Sequence, residues 1–342
     1  MKYYLKVFFV SFICFAVLIG GSVFAMTKFN LFGMGETTGT EGDPDSQTEE
    51  VTPSSELETK FKNGDRINVL IIGTDGGRSD TLMVASYDSK HKLADIISVP
   101  RDTYNHIEGK NAADQRKINA VYGFKGDIGG PEGLKKAVSK ILGVTINYYV
   151  ELDYEAVAKI VDTVGGVETD IPYKLDYDDP TAKPELHIHL SKGIQTLQGQ
   201  NALEYLRWRK NNDGSHSMGD LERVKRQQAF VVKTVKQAMG FKLPFVIKEV
   251  FSYLKTDMNV GDILYLGTQM IGIDFDQMKT YTIPGESGMK YKASYYFNDA
   301  EKTLELMETI YKRLPEEKVS GQGPMPNEEN SSTKSSTPSG GN

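Results

Sequence analysis

The 342-residue sequence has one cysteine, Cys14. A single thiol excludes an internal disulfide framework and any zinc site built on several thiolates. There is no basic excess: 40 Lys and Arg face 46 Asp and Glu, a formal net charge of −6. That balance argues against a dedicated nucleic-acid binder. The chain has no internal repeat and no clear helix-turn-helix. No glycine-rich loop ends in Gly-Lys-Ser/Thr, so P-loop nucleotide binding is not indicated. Residues 29–59 have no Lys or Arg but hold eight acids: Glu36, Glu41, Asp43, Asp45, Glu49, Glu50, Glu56 and Glu58. The charge deficit is therefore local. Residues 60–314 carry 35 bases and 34 acids, so the part that can fold is near neutral.

One long apolar run is present. Residues 7–25, VFFVSFICFAVLIGGSVFA, carry no charge. About 20 apolar residues span a bilayer as a helix. Lys2 and Lys6 precede the run and acids follow it, which places the N-terminus in the cytoplasm and the rest outside. Val23-Phe24-Ala25 resembles a signal-peptide cleavage site, but the run exceeds a usual signal core and reads as a retained anchor. The expected organisation is a cytoplasmic end (1–6), a transmembrane signal anchor (7–26), a flexible acidic linker (27–62), a catalytic domain (63–314) and a disordered tail (315–342). The linker and tail are rich in Gly, Ser, Thr and acids and bury too little apolar surface to fold. Cys14 lies inside the anchor.

Within 63–314, strands alternate with helices. The run Asn68–Gly73 reads as a buried strand. Strands are also expected over 81–87, 93–99, 147–152, 167–171 and 278–283. Helical spacing marks 131–142, 154–164, 199–205, 220–239, 245–254, 263–271 and 300–313. The fold class is α/β: one layered extracytoplasmic domain with a central mixed β-sheet flanked by helices.

Four clusters carry chemistry. The first is Gly73-Thr-Asp75-Gly-Gly-Arg78-Ser-Asp80-Thr81, directly after the first strand. Paired carboxylates on such a loop suit Mg²⁺ beside a phosphate, because Mg²⁺ prefers oxygen ligands. Taken alone, Asp-Gly-Gly is also ordinary turn chemistry. The second is Ser98-Val-Pro100-Arg101-Asp102-Thr103, again at a strand end. The third is Lys117-Ile-Asn119-Ala120. The fourth joins Tyr205-Leu-Arg207-Trp-Arg209-Lys210 to Asp220-Leu-Glu-Arg223-Val-Lys-Arg226-Gln227-Gln228. If a helix ends near Tyr205, Arg207 and Arg209 point together on extended backbone. Arg223, Arg226 and Gln227 share one face of the next helix, with Asp220 a turn earlier. Several arginine forks converging on one place suit a diphosphate.

The ordered motifs NVLIIGTD…RSDT, SVPRDT, KINAVY, DTVGGVETDIP, GIQTLQGQNALEYLRWR and GDLERVKRQQ resemble the LytR-CpsA-Psr family of cell-wall glycopolymer ligases over roughly residues 66–240. The resemblance implies a membrane-anchored phosphotransferase of a Gram-positive type envelope. Such an enzyme moves an anionic glycopolymer, of teichoic acid or capsular polysaccharide type, from an undecaprenyl-diphosphate carrier to peptidoglycan. It also implies Mg²⁺, with Mn²⁺ as a substitute, held by Asp75 and Asp80, and no nucleic-acid partner. Carried over by position, Arg101, Arg207, Arg209 and Arg223 bind the diphosphate, and Asp220 and Gln227 complete the site. Lys117 falls in a matching motif, and Arg78 joins by its place in the loop. The loop between Asp75 and Arg78 is short for the family, which leaves the division of labour between Asp75 and Asp80 open. Asp75 is the expected general base and Arg101 its catalytic partner. A long apolar cavity for the polyprenyl chain is a further implication, with helix 245–254 as a candidate wall.

His187 and His189 share a strand face but show no third ligand, so they read as exposed strand histidines. Asp176, Asp178 and Asp179 read as a solvated acidic loop. Tyr148, Tyr149, Tyr295 and Tyr296 read as strand packing. Three other functions compete with ligation: a transcriptional attenuator of envelope regulation, a non-catalytic polyprenyl-phosphate binder and a diphosphatase.

Overall fold

The computed structural model describes residues 53–74, 77–182, 185–238 and 243–316. The expected anchor at 7–26 lies outside them. Among the described residues no helix is long and apolar enough to cross a membrane.

The centre is a six-stranded mixed sheet. β1 (Arg66–Thr74) pairs antiparallel with β2 (Ser79–Asp88) and parallel with β4 (Tyr148–Leu152). β3 (Leu93–Ser98) pairs antiparallel with β2 and parallel with β10 (Lys279–Thr282), and β9 (Lys255–Thr256) closes the other edge. The central strands are apolar on both faces, because strand side chains alternate and each face meets a different layer.

One face carries Leu70, Ile72, Leu82, Val84 and Ile97 into a core with Leu134, Val138 and Leu142 of α2 (Gly130–Leu142) and with Met307 and Ile310 of α8 (Ala300–Lys312). Each side chain of that size stabilises the fold by roughly 1.5–3 kcal/mol when fully buried. The opposite face, with Val69, Ile71, Met83, Ala85 and Ile96, fronts a large cavity. Beyond the cavity lies a second core. It joins Val161 of α3 (Tyr154–Thr163), Ala202 of α4 (Gly199–Arg207), Phe230 of α5 (Asp220–Ala238) and Val246 of α6 (Leu243–Val250). Two ribbons complete it: β5 (Val167–Ile171) with β8 (Gly193–Leu197), and β6 (Leu175–Asp179) with β7 (Leu186–Leu190). A small cluster of Leu57, Ile67, Val69, Tyr148 and Met258 draws α1 (Ser55–Asn63) against the sheet, with Tyr265 and Leu266 of α7 (Val260–Gln269) packed on it.

Most expected elements are present, with three corrections. Asp176, Asp178 and Asp179 lie on strand β6, not in a loop. The 245–254 helix starts earlier and gives way at Phe251 to a 3-10 turn. The 263–271 helix begins at Val260, because the Asn259 side chain caps it by accepting from the Asp262 N–H at 2.8 Å. The hairpin of β11 (Gly285–Lys290) and β12 (Ala293–Asn298) was not foreseen. Its turn has Tyr291 and Lys292 at φ 52° and 60°, where sequence rules expect Asn-Gly.

Candidate active site

The cavity on the sheet's open face has a volume of about 970 Å³. Its body is apolar, built by Ile67, Val69, Ile71, Met83, Val157, Ile160, Leu203, Leu206, Phe230 and Val235. At one end the lining turns polar, with Asp80, Thr81, Arg207, Arg209, Lys210, Arg223 and Gln227. A second, smaller cleft of about 70 Å³ shares Asp80, Thr81, Arg223 and Gln227 with it and adds Arg101, Asp102 and Asp220. The charged groups thus stand where an apolar hole opens into a polar cleft.

Local structure explains how they arrive there. The β1–β2 register shifts between Gly73 and Thr74, a bulge that ends the ladder just before the Asp75 loop. Gly73 faces Thr81 so closely that a Cβ would sit 3.0 Å from the Thr81 Cβ, so a side chain there would require the Thr81 side chain to give by a few tenths of an ångström. Asp75 and Gly76 lie outside the described residues. Asp80 leaves β2 toward the cleft, and its Oδ1 accepts from Arg101 Nη1 at 2.5 Å.

Helix α4 runs to Arg207, two residues past the expected end, and Trp208 follows in extended backbone. Trp208 is fully buried, and its Nε1–H donates to Asn211 Oδ1 at 3.0 Å. A locked Trp208 fixes Arg207 on one side and Arg209 on the other, and both line the cavity. The Arg207 guanidinium also lies 4.6 Å above the Tyr154 ring.

Helix α5 is held by Gln228, whose Nε2 donates to Ser98 Oγ at 2.8 Å and to the Tyr281 carbonyl at 2.5 Å. The same turn presents Gln227, whose Oε1 accepts from Thr81 Oγ1 at 3.3 Å. Arg223 is buried and reaches Asp220 Oδ1 at 3.1 Å. Burial, then repulsion from Arg209 and Arg101, pushes the Arg223 guanidinium down to about 10 despite Asp220 and Asp80. An arginine depressed by its neighbours marks a place where positive charge is crowded and a bound anion would relieve it. Arg101 is held above its ordinary value: burial lowers it, but the Asp80 hydrogen bond and the charges of Asp80, Asp102 and Asp220 outweigh that. The Nε atoms of Arg101 and Arg223 are buried and have no hydrogen-bond partner among the described residues. Donors so placed suit phosphate oxygens.

Not every expected residue joins the cluster. Arg78 lines neither cavity and pairs with Asp114 at 2.7 Å on an exposed surface. Lys117 sits one step behind the cleft, its Nζ 3.1 Å from Asp102 Oδ1. Arg226 shares a helix face with Arg223 in sequence but points elsewhere. Its guanidinium donates to the Trp208 carbonyl and stacks 4.9 Å from the Tyr205 ring. Burial lowers it to about 10, and its work is to hold the Trp208 segment. Of the expected wall 245–254, only Leu254 lines the cavity. Thr81 and Lys210, which stand in the sequence clusters without an assigned role, line it too, as does Tyr154, which lies outside those clusters because an aromatic ring gives no signal until neighbouring elements pack.

Asp80 is the one carboxylate of the expected Mg²⁺ pair within the described residues. It faces both cavities beside buried guanidiniums. A carboxylate or two, completed by substrate phosphate oxygens and water, is a coordination Mg²⁺ accepts, so the donor set fits. Away from this site, Asp176, Asp178 and His189 offer ligand atoms within 4.8 Å of one another, a group that could bind a metal. Its two carboxylates come from the strand that pairs with the one carrying His189.

The chain matches a family model described as the LytR_cpsA_psr family over residues 29–313. It is 31% identical over 307 residues to the polyisoprenyl-teichoic acid–peptidoglycan teichoic acid transferase TagU of Bacillus mycoides (strain KBAB4), covering 84% of this chain and 90% of that one. It is 29% identical over 269 residues to TagU of Bacillus subtilis (strain 168), covering 75% and 81%. The crystal structure of B. subtilis TagV superposes with a TM-score of 0.60 at 26% identity, covering 72% of this chain and 96% of that one.

Proposed function

This chain belongs to the LytR-CpsA-Psr family, and we propose that it is a transferase that moves a polyisoprenyl-diphosphate-linked anionic glycopolymer, of teichoic acid type, onto peptidoglycan. The names of its relatives support a teichoic acid–peptidoglycan transferase. The observation that carries the reading is the mixed lining of one cavity of about 970 Å³: mostly apolar side chains, with Asp80, Arg207, Arg209 and Arg223 among them. An isoprenoid chain with a diphosphate head has that profile.

The polyprenyl chain occupies the apolar body, and its burial supplies binding that the chemistry does not use. Arg207, Arg209 and Arg223 grip the diphosphate, and Arg101 meets the sugar-proximal phosphate from the smaller cleft. A peptidoglycan sugar hydroxyl enters by that cleft and attacks the phosphorus bonded to the polymer's anomeric oxygen. The new bond joins the hydroxyl oxygen to phosphorus. The bond to the bridging oxygen breaks, and polyprenyl phosphate leaves. The hydroxyl proton passes to a carboxylate, for which Asp75 is the proposed acceptor. Negative charge grows on the bridging oxygen, and guanidiniums already in place stabilise it without reorganising. Mg²⁺, when bound, would be held by Asp80 and Asp75 and would supply charge neutralisation at the phosphates. Asp220 and Asp80 keep Arg223 and Arg101 aimed, and Gln227 fixes Thr81 at the junction of the two cavities.

The membrane anchor at 7–26 and an external position for 63–314 belong to this reading, since the lipid carrier is confined to the bilayer. In the test, full-length protein is incubated with synthetic lipid-diphosphate glycopolymer, Mg²⁺ and peptidoglycan oligomers, alongside Arg207→Ala. The reading expects a phosphodiester-linked product from the wild type and little from the variant. Phosphate release without acceptor would instead mark a diphosphatase. Lipid binding without product would mark a binder.

A further inference from the structure

The β6–β7 ribbon has two unlike faces. Its inner face packs Leu175, Ile188 and Leu190 into the second core, while Tyr177, Asp179 and Leu186 reach the cavity lining. Its outer face carries only Asp176, Asp178, His187 and His189. The register sets Asp176 opposite His189 and Asp178 opposite His187, so two carboxylates and two imidazoles share one face on alternate rungs, with the Tyr177–Ile188 rung between them.

The side chains already meet in imidazole–carboxylate pairs. His189 Nδ1 is 2.8 Å from Asp176 Oδ1, and its Nε2 is 3.4 Å from Asp178 Oδ1. His187 Nδ1 is 2.6 Å from Asp178 Oδ1, and its Nε2 is 3.5 Å from Glu185 Oε2. A tetrahedral ion with bonds of about 2.0–2.1 Å needs donors roughly 3.3 Å apart. Small rotamer changes at exposed side chains supply that spacing. The backbone is already fixed. Asp176 and Asp178 N–H donate to Asn211 Oδ1 at 2.8 Å and Asn212 Oδ1 at 3.0 Å, so the ribbon is tied to the Trp208–Ser217 segment.

We propose that Asp176, Asp178 and His189, whose ligand atoms lie within 4.8 Å of one another, form a binding site for a first-row divalent transition metal ion of the Zn²⁺ class, with His187 beside Asp178 joining by side-chain rotation, separate from the Mg²⁺ of the transfer site. Mixed imidazole and carboxylate donors favour Zn²⁺ over Mg²⁺ or Ca²⁺, which take all-oxygen sets. Lys174, which pairs with Asp176, and Glu185, which meets His187, are the charged side chains the ion must compete with or recruit. Bound metal cross-links two strands whose other face lines the cavity, beside the segment that carries Arg209 and Lys210. Binding does not depend on the proposed transfer reaction.

The test uses full-length protein without a polyhistidine tag, stripped with chelator and titrated with ZnCl₂ by calorimetry in excess Mg²⁺ at neutral pH. The expected result is one equivalent bound, a raised melting temperature and, with Co²⁺, the visible absorption of a tetrahedral site. In His187→Ala/His189→Ala all three disappear, while circular dichroism without metal matches the wild type. Asp176→Asn, which keeps both histidines, weakens the titration. Absence of saturable binding in the wild type would overturn the site. So would a titration unchanged in the double variant, or loss of Zn²⁺ to excess Mg²⁺.

Discussion

Arg101 and Asp80 meet across two strand ends, Nη1 to Oδ1 at 2.5 Å, at the rim where the apolar cavity opens into the polar cleft. The contact holds a cation and a carboxylate in fixed orientation where a diphosphate and a metal ion would meet. Their interaction with each other is partly screened by exposure, so its value lies in aim more than in stability.

Arg223→Lys tests whether guanidinium geometry matters beyond charge. A lysine keeps the positive charge but loses the planar fork. Transfer should fall by about 10²-fold or more, as when one preorganised donor to developing charge is lost. The melting temperature should change little. Turnover of a synthetic lipid-diphosphate donor measures the loss, and a rate within twofold of wild type would contradict the assignment.

Ala85→Trp tests the cavity as a lipid site. Ala85 lies on the open face of β2 and lines the cavity. An indole there fills space that an isoprenoid needs, with little cost to a fold that already tolerates the void. KM for long-chain donors should rise sharply, while a donor with a short prenyl chain should still be used. Equal loss with both donors would mean the cavity does not hold the chain.

Arg78→Ala should leave transfer within about twofold of wild type, since surface pairs such as Arg78–Asp114 carry little energy. Initial rates with saturating donor decide it, and a large loss would bring the loop into the site.

Asp88→Asn tests a pH-dependent term in stability. Burial pushes the Asp88 carboxyl up, but hydrogen bonds from the His91 side chain and backbone, with the Arg66 charge, bring it below its ordinary value of 3.8. A folded-state value below the unfolded one means that the ionised carboxylate stabilises the fold above the ordinary Asp range. That contribution is lost as pH falls through the lowered value. Urea melts from neutral pH into acid should show wild type ahead of Asp88→Asn at neutral pH, with the gap closing in the acid range. A gap that widened on acidification would contradict the assignment.

Much of the fold was legible locally. The run Asn68–Gly73, the alternation in 81–87 and the helical spacing of 131–142 each report burial through their own period. The β11–β12 hairpin was not legible, because its turn uses Tyr291 and Lys292 in a conformation that sequence rules reserve for Asn and Gly. Arg223 and Arg226 show a different limit. Three residues apart on one helix, they look alike in sequence. One faces the cavity, and the other is captured by the Trp208 carbonyl.

The sequence by itself determined the charge economy: a near-neutral working region, an excess of acids confined to its flanks, and no thiol in residues 60–314. It also named the arginines at the cavity mouth, because ordered motifs preserve residue type and spacing along the chain. The tertiary structure decided which of them meet. Arg101, Arg207, Arg209 and Arg223 come from three separate stretches and converge through strand register and the burial of Trp208. The fold also decided which sheet face stays unfilled, and that His187 and His189 meet Asp178 and Asp176 across a ribbon. Both are set by strand pairing and by the packing of layers rather than by any local preference.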